Sequence, residues 1–368
     1  MNWRAGISPD LVVIAVCARP FVTAAAQAGY NVAAFDIFND VETRRCCFSS
    51  ERVDFSEGGF DADDLWRKLS VINPVDAIVT YGSGLENRPE LLEKISRHFP
   101  LLGNTPDVVA RIKDPRRFFP LLDELNIAYP ETRLDVPLER DGWLVKETGG
   151  SGGTHIRLWD GVPGGYYQRQ TDGLPVSVLF LADGANIEVV GYTEQWLAPV
   201  PGKPFRYGGA VGNANFSSAI KAAMAEAARK VVIATGLRGL NSMDFLLASE
   251  RALVLEVNPR LSASFDLYGM PNLFERHLQA CRGELTPLSE HAAGSKAHLI
   301  YYASHDVVAT EGVEWPEWTA DLPPAGTVCK AGEPVCTVLA QGNDAHAAKE
   351  LVFARAHQIN AQLQPYLE

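Results

Sequence analysis

The chain has no long apolar run. Its N-terminal stretch, MNWRAGISPDLVVIAVCARP, is continuously apolar only from Leu11 to Ala18, far short of the ~20 residues of a membrane span. That run is rich in Val and Ile, which fits a buried strand better than a signal peptide, so no membrane association is expected. Blocks of like charge are also missing. A formal net charge of −12 spread along the chain argues against nucleic acid or an anionic membrane as the main partner, so a phosphate site must be built locally. The six cysteines, Cys17, Cys46, Cys47, Cys281, Cys329 and Cys336, show no CxxC spacing. Free thiols in a reducing cytoplasm suit them better than a zinc site or a disulfide framework. The turn after the first apolar run, CARP, lacks the glycines of a dinucleotide fingerprint, and GxxxxGK[ST] occurs nowhere. Repeats and low-complexity segments are absent.

What is present is an ordinary globular composition, 46% hydrophobic and 21% charged over 368 residues. A single core stops growing at about 250 to 300 residues, so more than one domain is expected. LVVIAVC, PFVTAAAQAG and YNVAAFD read as strand, helix, strand, and VDAIVTYGSG (75–84) followed by Pro89 to His98 repeats the pattern. Such alternation predicts a parallel sheet with helices on its faces. Gly82-Ser83-Gly84 follows a strand's carboxyl end, where open α/β sheets bind ligands. Two helices, PDVVARIKD and PRRFFPLLDELN, come next, the second kinked at Pro120, with Lys113 between them. Read alone, Lys113 is a solvated lysine.

Two stretches carry chemistry. In NSMDFLLASERALVLEVNPR (241–260), two apolar runs flank Ser249-Glu250-Arg251 and read as a β-hairpin. Alternation puts Met243, Phe245, Leu247, Leu253, Leu255 and Val257 on one face and Asp244, Glu256 and Asn258 on the other. A fold about Glu250 sets Asp244 opposite Glu256. Facing carboxylates repel and need either a cation or solvent between them; oxygen-only ligation with few protein ligands suits magnesium. Arg260 follows directly. In WLVKETGGSGGTHIRL (143–158), a strand ending near Lys146 leads into Gly149, Gly150, Ser151, Gly152 and Gly153, then into a returning strand through THIRL. Backbone N–H groups of such a loop can close on phosphates, and Lys146 can meet their charge. Each stretch alone also fits a plain sheet edge or hairpin tip, and His155 reads as a loop or edge-strand residue.

Taken together, an acidic face, a glycine flap beside a lysine and an arginine beside the acids are explained by a magnesium-nucleotide site. This set, in this order, resembles the ATP-grasp superfamily over most of the chain. The resemblance implies an α/β fold, α+β overall, with an N-terminal parallel-sheet domain (1–105), a central lid domain with the flap (106–185) and a C-terminal mixed domain with the metal hairpin (186–368). It places phosphate-side lysines at Lys113 and Lys146, adenine contacts at Gln168, Arg169, Gln170 and Thr171, magnesium on Asp244, Glu256 and Asn258 with manganese able to substitute, and a phosphoryl-stabilising arginine at Arg260. The implied reaction is ATP-dependent: a small-molecule carboxylate becomes an acylphosphate and an amine attacks it. AARKVVIATGLRGLNSMDFLL and PPAGTVCKAGEPVCTVLAQG look similar to the branch that joins glutamate to tyramine or tyrosine in methanofuran-type cofactor synthesis. Arg206 and Tyr207, before Gly208-Gly209, are the substrate-contact candidates. Another ATP-grasp amino-acid ligase, a carboxylase, and a nucleotide-binding module without catalysis are the rival readings, and a homodimer is one assembly open to the chain. No Met-Lys-Met carrier segment supports a biotin-dependent carboxylase.

Overall fold

The computed structural model describes residues 8–56, 59–72, 77–288 and 294–363. Near the N-terminus, strands Leu11–Ile14, Val32–Asp36, Ser49–Arg52 and Ile78–Tyr81 form a parallel sheet in which Leu11–Ile14 lies between Val32–Asp36 and Ile78–Tyr81. Helix Arg19–Gln27 links Leu11–Ile14 to Val32–Asp36 as the alternation predicts, and Pro89–His98 follows the last strand and returns the chain to a parallel bridge between Val79 and Leu101. Residues 75 and 76, the start of the expected strand, lie outside the described residues.

Strands Thr132–Arg133, Trp143–Lys146, Ile156–Leu158 and Tyr166–Arg169 make a small antiparallel sheet. Helix Pro115–Glu124 continues through Pro120. The long strand Leu174–Asp183, grouped on sequence with the central segment, instead pairs within a large antiparallel sheet, between Arg238–Ala248 and Ile187–Leu197. One face of that sheet takes helix Ser218–Thr235, whose Met224, Val231 and Val232 pack on Val178, Phe180, Met243 and Phe245. Ser217 caps this helix through its hydroxyl, and Gly236 ends it at φ +75°, the left-handed cap expected of glycine. The other face packs Leu179, Leu181 and Leu240 with Leu11, Phe21 and Phe274 in one continuous core. Among the described residues no helix is long and apolar enough to cross a membrane, and all six cysteines are free thiols.

His277 pins the two sheets together. Its Nδ1 accepts from the Leu240 N–H at 2.9 Å, so Nε2 carries the proton and donates to Thr80 Oγ1 at 2.9 Å. Burial holds the ring neutral and lowers its pKa from 6.5 to about 3. An unfolded histidine binds its proton near pH 6.5, so between those values the unfolded state binds more protons. Stability complete above pH ~6.5 is therefore lost as pH falls, by about 2 kcal/mol at pH 5 from this residue. Urea unfolding between pH 7.5 and 5 is expected to show that acid limb, and His277→Gln is expected to flatten it.

Candidate active site

The site grows from the hairpin Arg238–Ala248 and Arg251–Asn258. Its turn is shorter than the sequence suggests: Ser249 and Glu250 alone connect the strands, both at positive φ (47° and 62°), the requirement of a type I′ turn. Ala248 then faces Arg251, and Phe245 faces Val254. A register shift between Asp244 and Phe245 makes Leu255 an extra residue, after which Asp244 faces Glu256 and Met243 faces Val257. The carboxylates thus oppose each other as expected, but through a short turn plus a bulge. The bulge also corrects the apolar face. Val254 and Val257 enter the core, while Leu255 lines the site cavity beside Glu256.

Around the two acids lies a connected polar network. Lys113 Nζ is 3.1 Å from Glu256 Oε2. Asn258 Nδ2 donates to Asp244 Oδ2 at 2.9 Å, and Gln195 Nε2 donates to Asp244 Oδ1 at 3.3 Å. Arg260 donates to Asn258 Oδ1 at 2.9 Å and to the Leu261 carbonyl at 3.1 Å, and its Nε pairs with Glu86. Glu86 in turn accepts from the Gly84 N–H at 2.6 Å. Burial and the Glu256 charge push Asp244 up to about 7. Burial also raises Glu256, yet Lys113, His155 and Lys146 together hold it below the usual carboxylate range.

Lys146 is 5% exposed and has no ion-pair partner among the described residues. Burial draws its pKa down to about 8. A buried ammonium left unpaired is costly, and an anion brought between Lys113, Lys146 and Arg260 would offset that cost. The two facing carboxylates are oxygen donors that fit a hard cation, with the Lys113 ammonium now balancing one of them; the Asn258 oxygen accepts from Arg260 here and would join the acids only with its amide turned. Among the described residues no cluster of three His, Cys, Asp or Glu competes with it. Ser177 adds a buried hydroxyl without a hydrogen bond, opposite Asp244 on the neighbouring strand.

The glycine loop is docked on the site. The Tyr207 N–H donates to the Gly152 carbonyl at 2.9 Å. Gly149 (φ +78°) lies so near Asn87 that a Cβ would sit 2.7 Å from the Asn87 Cβ, and one on Gly153 (φ +70°) would sit 1.9 Å from the Phe205 carbonyl oxygen. Only glycine permits both the backbone angle and the approach. The cavity beneath, lined by Lys113, Phe119, His155, Tyr166, Leu255 and Glu256, is about 30 Å³, room for a water or two and not for a nucleotide.

Other sequence candidates lie apart from that cavity. Gln168 is buried and donates to Thr132 Oγ1 at 3.0 Å, Arg169 lies over the Trp143 ring at 4.3 Å, the Gln170 N–H donates to the Gly142 carbonyl, and Thr171 Oγ1 donates to the Arg169 carbonyl. Tyr166, two residues earlier on the same strand, lines the cavity instead. Arg206 donates to the Ala198 and Gly332 carbonyls, both at 2.8 Å, and stacks on Tyr302 at 3.6 Å. The Tyr207 hydroxyl is 2.7 Å from His298 Nε2. Sequence reasoning missed Glu86, whose signal was an acid just past Gly82-Ser83-Gly84 at the ligand end of a parallel strand. It also missed His155, whose ring packs against Gly150 and whose Nδ1 is buried without a partner.

Known proteins agree with this architecture. Residues 112–264 match the family model of the ATP-grasp domain. The chain superposes on pyruvate carboxylase of Rhizobium etli with a TM-score of 0.72 at 13% identity, covering 95% of this chain but only 37% of that one. The biotin carboxylase domain dimer of the Hydrogenobacter thermophilus 2-oxoglutarate carboxylase, in complex with MgADP, ADP and bicarbonate, gives 0.71 at 11% identity, covering 95% of this chain and 89% of that one. Carboxyaminoimidazole ribonucleotide synthase of Aspergillus clavatus, complexed with ATP, gives 0.71 at 15% identity over 96% and 99% of the two chains. No curated protein sequence matches. The chain has the ATP-grasp fold.

Glu86 leaves Arg260 without its counter-ion when neutralised. Glu86→Gln is expected to cost about 3 kcal/mol of stability at neutral pH, read by urea unfolding, whereas Arg169→Gln, at a half-buried stacking position with a loose pairing to Glu131 at 3.6 Å, is expected to change it by less than about 1 kcal/mol.

Proposed function

We propose that the protein is an ATP-dependent ligase that activates a substrate carboxylate as an acylphosphate for attack by an amine. The carrying observation is the convergence of three cationic side chains, one of them buried without an ion pair, on a facing pair of carboxylates under a glycine loop. Lys113, Lys146 and Arg260 would hold ATP phosphates, while Asp244, Glu256 and Asn258 would hold magnesium, or manganese in its place, which supplies charge neutralisation between phosphate oxygens. Phosphoryl transfer asks mainly for positioning and charge stabilisation. Arg260 is oriented for that task by Glu86 on one side and Asn258 on the other. With a cavity of about 30 Å³, nucleotide entry requires the loop to leave Asn87 and Tyr207; its return excludes water from the acylphosphate.

The finer reading, glutamate joined to a tyramine- or tyrosine-like amine in cofactor biosynthesis, rests on the two sequence segments named above. A carboxylase is the second reading, favoured by the bicarbonate complex of a structural neighbour. The domain division at 105, with the second boundary ahead of Leu174 and not at 185, the cytoplasmic setting and a homodimer like that named for the same neighbour accompany the proposal. Steady-state ADP release is expected only when a carboxylate and an amine are both supplied. ADP release that depends on bicarbonate instead would favour the carboxylase, and MgATP binding without turnover on any pair would sink both. Glu256→Gln is expected to abolish turnover, at least 100-fold, while leaving the circular dichroism spectrum unchanged; wild-type activity there refutes the metal assignment.

A further inference from the structure

Arg206 is a buried cation outside the polar network around Asp244 and Glu256. It is 7% exposed, and among the described residues no carboxylate pairs with it. A guanidinium held inside without a counter-ion is costly, and its surroundings show what it holds in place. All its partners are uncharged: Nε donates to the Ala198 carbonyl and Nη1 to the Gly332 carbonyl, both at 2.8 Å, and the plane stacks on the Tyr302 ring at 3.6 Å. Those partners lie on three segments. Ala198 and Arg206 are the two ends of a strap, 198–206, that joins strand Ile187–Leu197 to strand Tyr207–Gly212. The Ala198 N–H returns a bond to the Arg206 carbonyl at 2.8 Å, and the Lys203 N–H donates to the Val200 carbonyl at 2.9 Å, so the strap is closed at its base and at its tip. Gly332 belongs to turn 330–333 of the segment PPAGTVCKAGEPVCTVLAQG. That turn is itself held, by the Gly332 N–H on the Ala303 carbonyl at 2.7 Å and the Glu333 N–H on the Lys330 carbonyl at 2.9 Å. The Tyr302 hydroxyl adds a bond to the Tyr207 carbonyl at 2.8 Å.

The glycine loop docks on the residues to either side of Arg206. The Tyr207 N–H donates to the Gly152 carbonyl at 2.9 Å, and Gly153 passes the Phe205 carbonyl oxygen with no room for a Cβ. We propose that Arg206 is the positioning residue of the docked loop: it fixes the Phe205 carbonyl and the Tyr207 N–H as a docking pad, and it hangs that pad on turn 330–333 of the C-terminal segment. A planar fork with donors in fixed directions suits this task, whereas a lysine ammonium on a flexible stem meets one carbonyl without orienting the other. The effect on turnover rests on the ligase reading, in which the loop's return excludes water; the docking itself does not.

Hydrogen exchange of the full chain without nucleotide tests the proposal, because the docked loop protects the Tyr207 amide. Arg206→Lys keeps the charge and most of the stem but loses the fork. It is expected to speed exchange at Tyr207, and subtilisin nicking between residues 148 and 156, at least tenfold each, with the amides of strand Leu174–Asp183 unchanged within twofold. Gly153→Ala lifts the loop from its own side and is expected to give a similar increase. In the double variant the two effects are expected to saturate, staying within twofold of the larger single effect, because both remove the same docking. Exchange and nicking within twofold of wild type in Arg206→Lys overturn the proposal. So do effects that multiply in the double variant, and so does an increase shared equally by strand Leu174–Asp183, which marks general loosening. Should Arg206→Lys not fold, Arg206→Met takes its place in the same cycle. ADP release judges the ligase reading separately, so failures of the two are told apart.

Discussion

The ion pair between Arg260 and Glu86 ties the molecule's two halves at its chemical centre. Arg260 ends the hairpin of the large antiparallel sheet, while Glu86 sits just beyond the last strand of the N-terminal parallel sheet. Both side chains are almost wholly buried. A buried pair of this kind is weak evidence for added stability, because desolvation offsets much of the attraction, but loss of either partner strands a charge. Its more direct effect is geometric. With three of its donors engaged by Glu86, Asn258 and the Leu261 carbonyl, the guanidinium has one orientation, and that orientation exists only when both sheets are assembled. The His277 clamp between Thr80 and Leu240 and Asn104, whose side chain bonds Asn241, Pro259 and the Arg238 N–H, fix the same joint from two further points.

Much of this was legible in the sequence because local rules dominate there. Strand and helix alternation reported the parallel sheet, Gly236 stopped its helix, and the facing of Asp244 and Glu256 followed from alternation about a turn. The path to that facing was not legible. A symmetric three-residue loop and a two-residue turn with a bulge lead to the same pairing of acids, and period-two counting does not distinguish them. Leu255 therefore went to the wrong face.

What the sequence hid depends on contacts between distant segments. Glu86 and Arg260 are 174 residues apart, and neither position announces the other. Arg206 looked available beside a glycine cluster; its guanidinium is instead held by two backbone carbonyls and a tyrosine ring. The glycine loop looked free because its composition is flexible, yet its glycines are also what allow it to lie flat on Asn87 and Phe205. Composition alone reports the freedom of the open chain and not the closeness of the docked one.

The bulge at Leu255 has a further consequence, one of parity. Side chains alternate along a strand, so any single insertion or deletion beyond the turn exchanges inside for outside. Here one extra residue has already been introduced, and Glu256 and Asn258 face the site because of it. The bulge is where that parity is absorbed: with Leu255 removed, the ladder would run on from the turn without interruption and Asp244 would still face Glu256, and Met243 Val257, whereas removal of a residue with the bulge kept would carry Glu256 and Asn258 to the face covered by helix Ser218–Thr235.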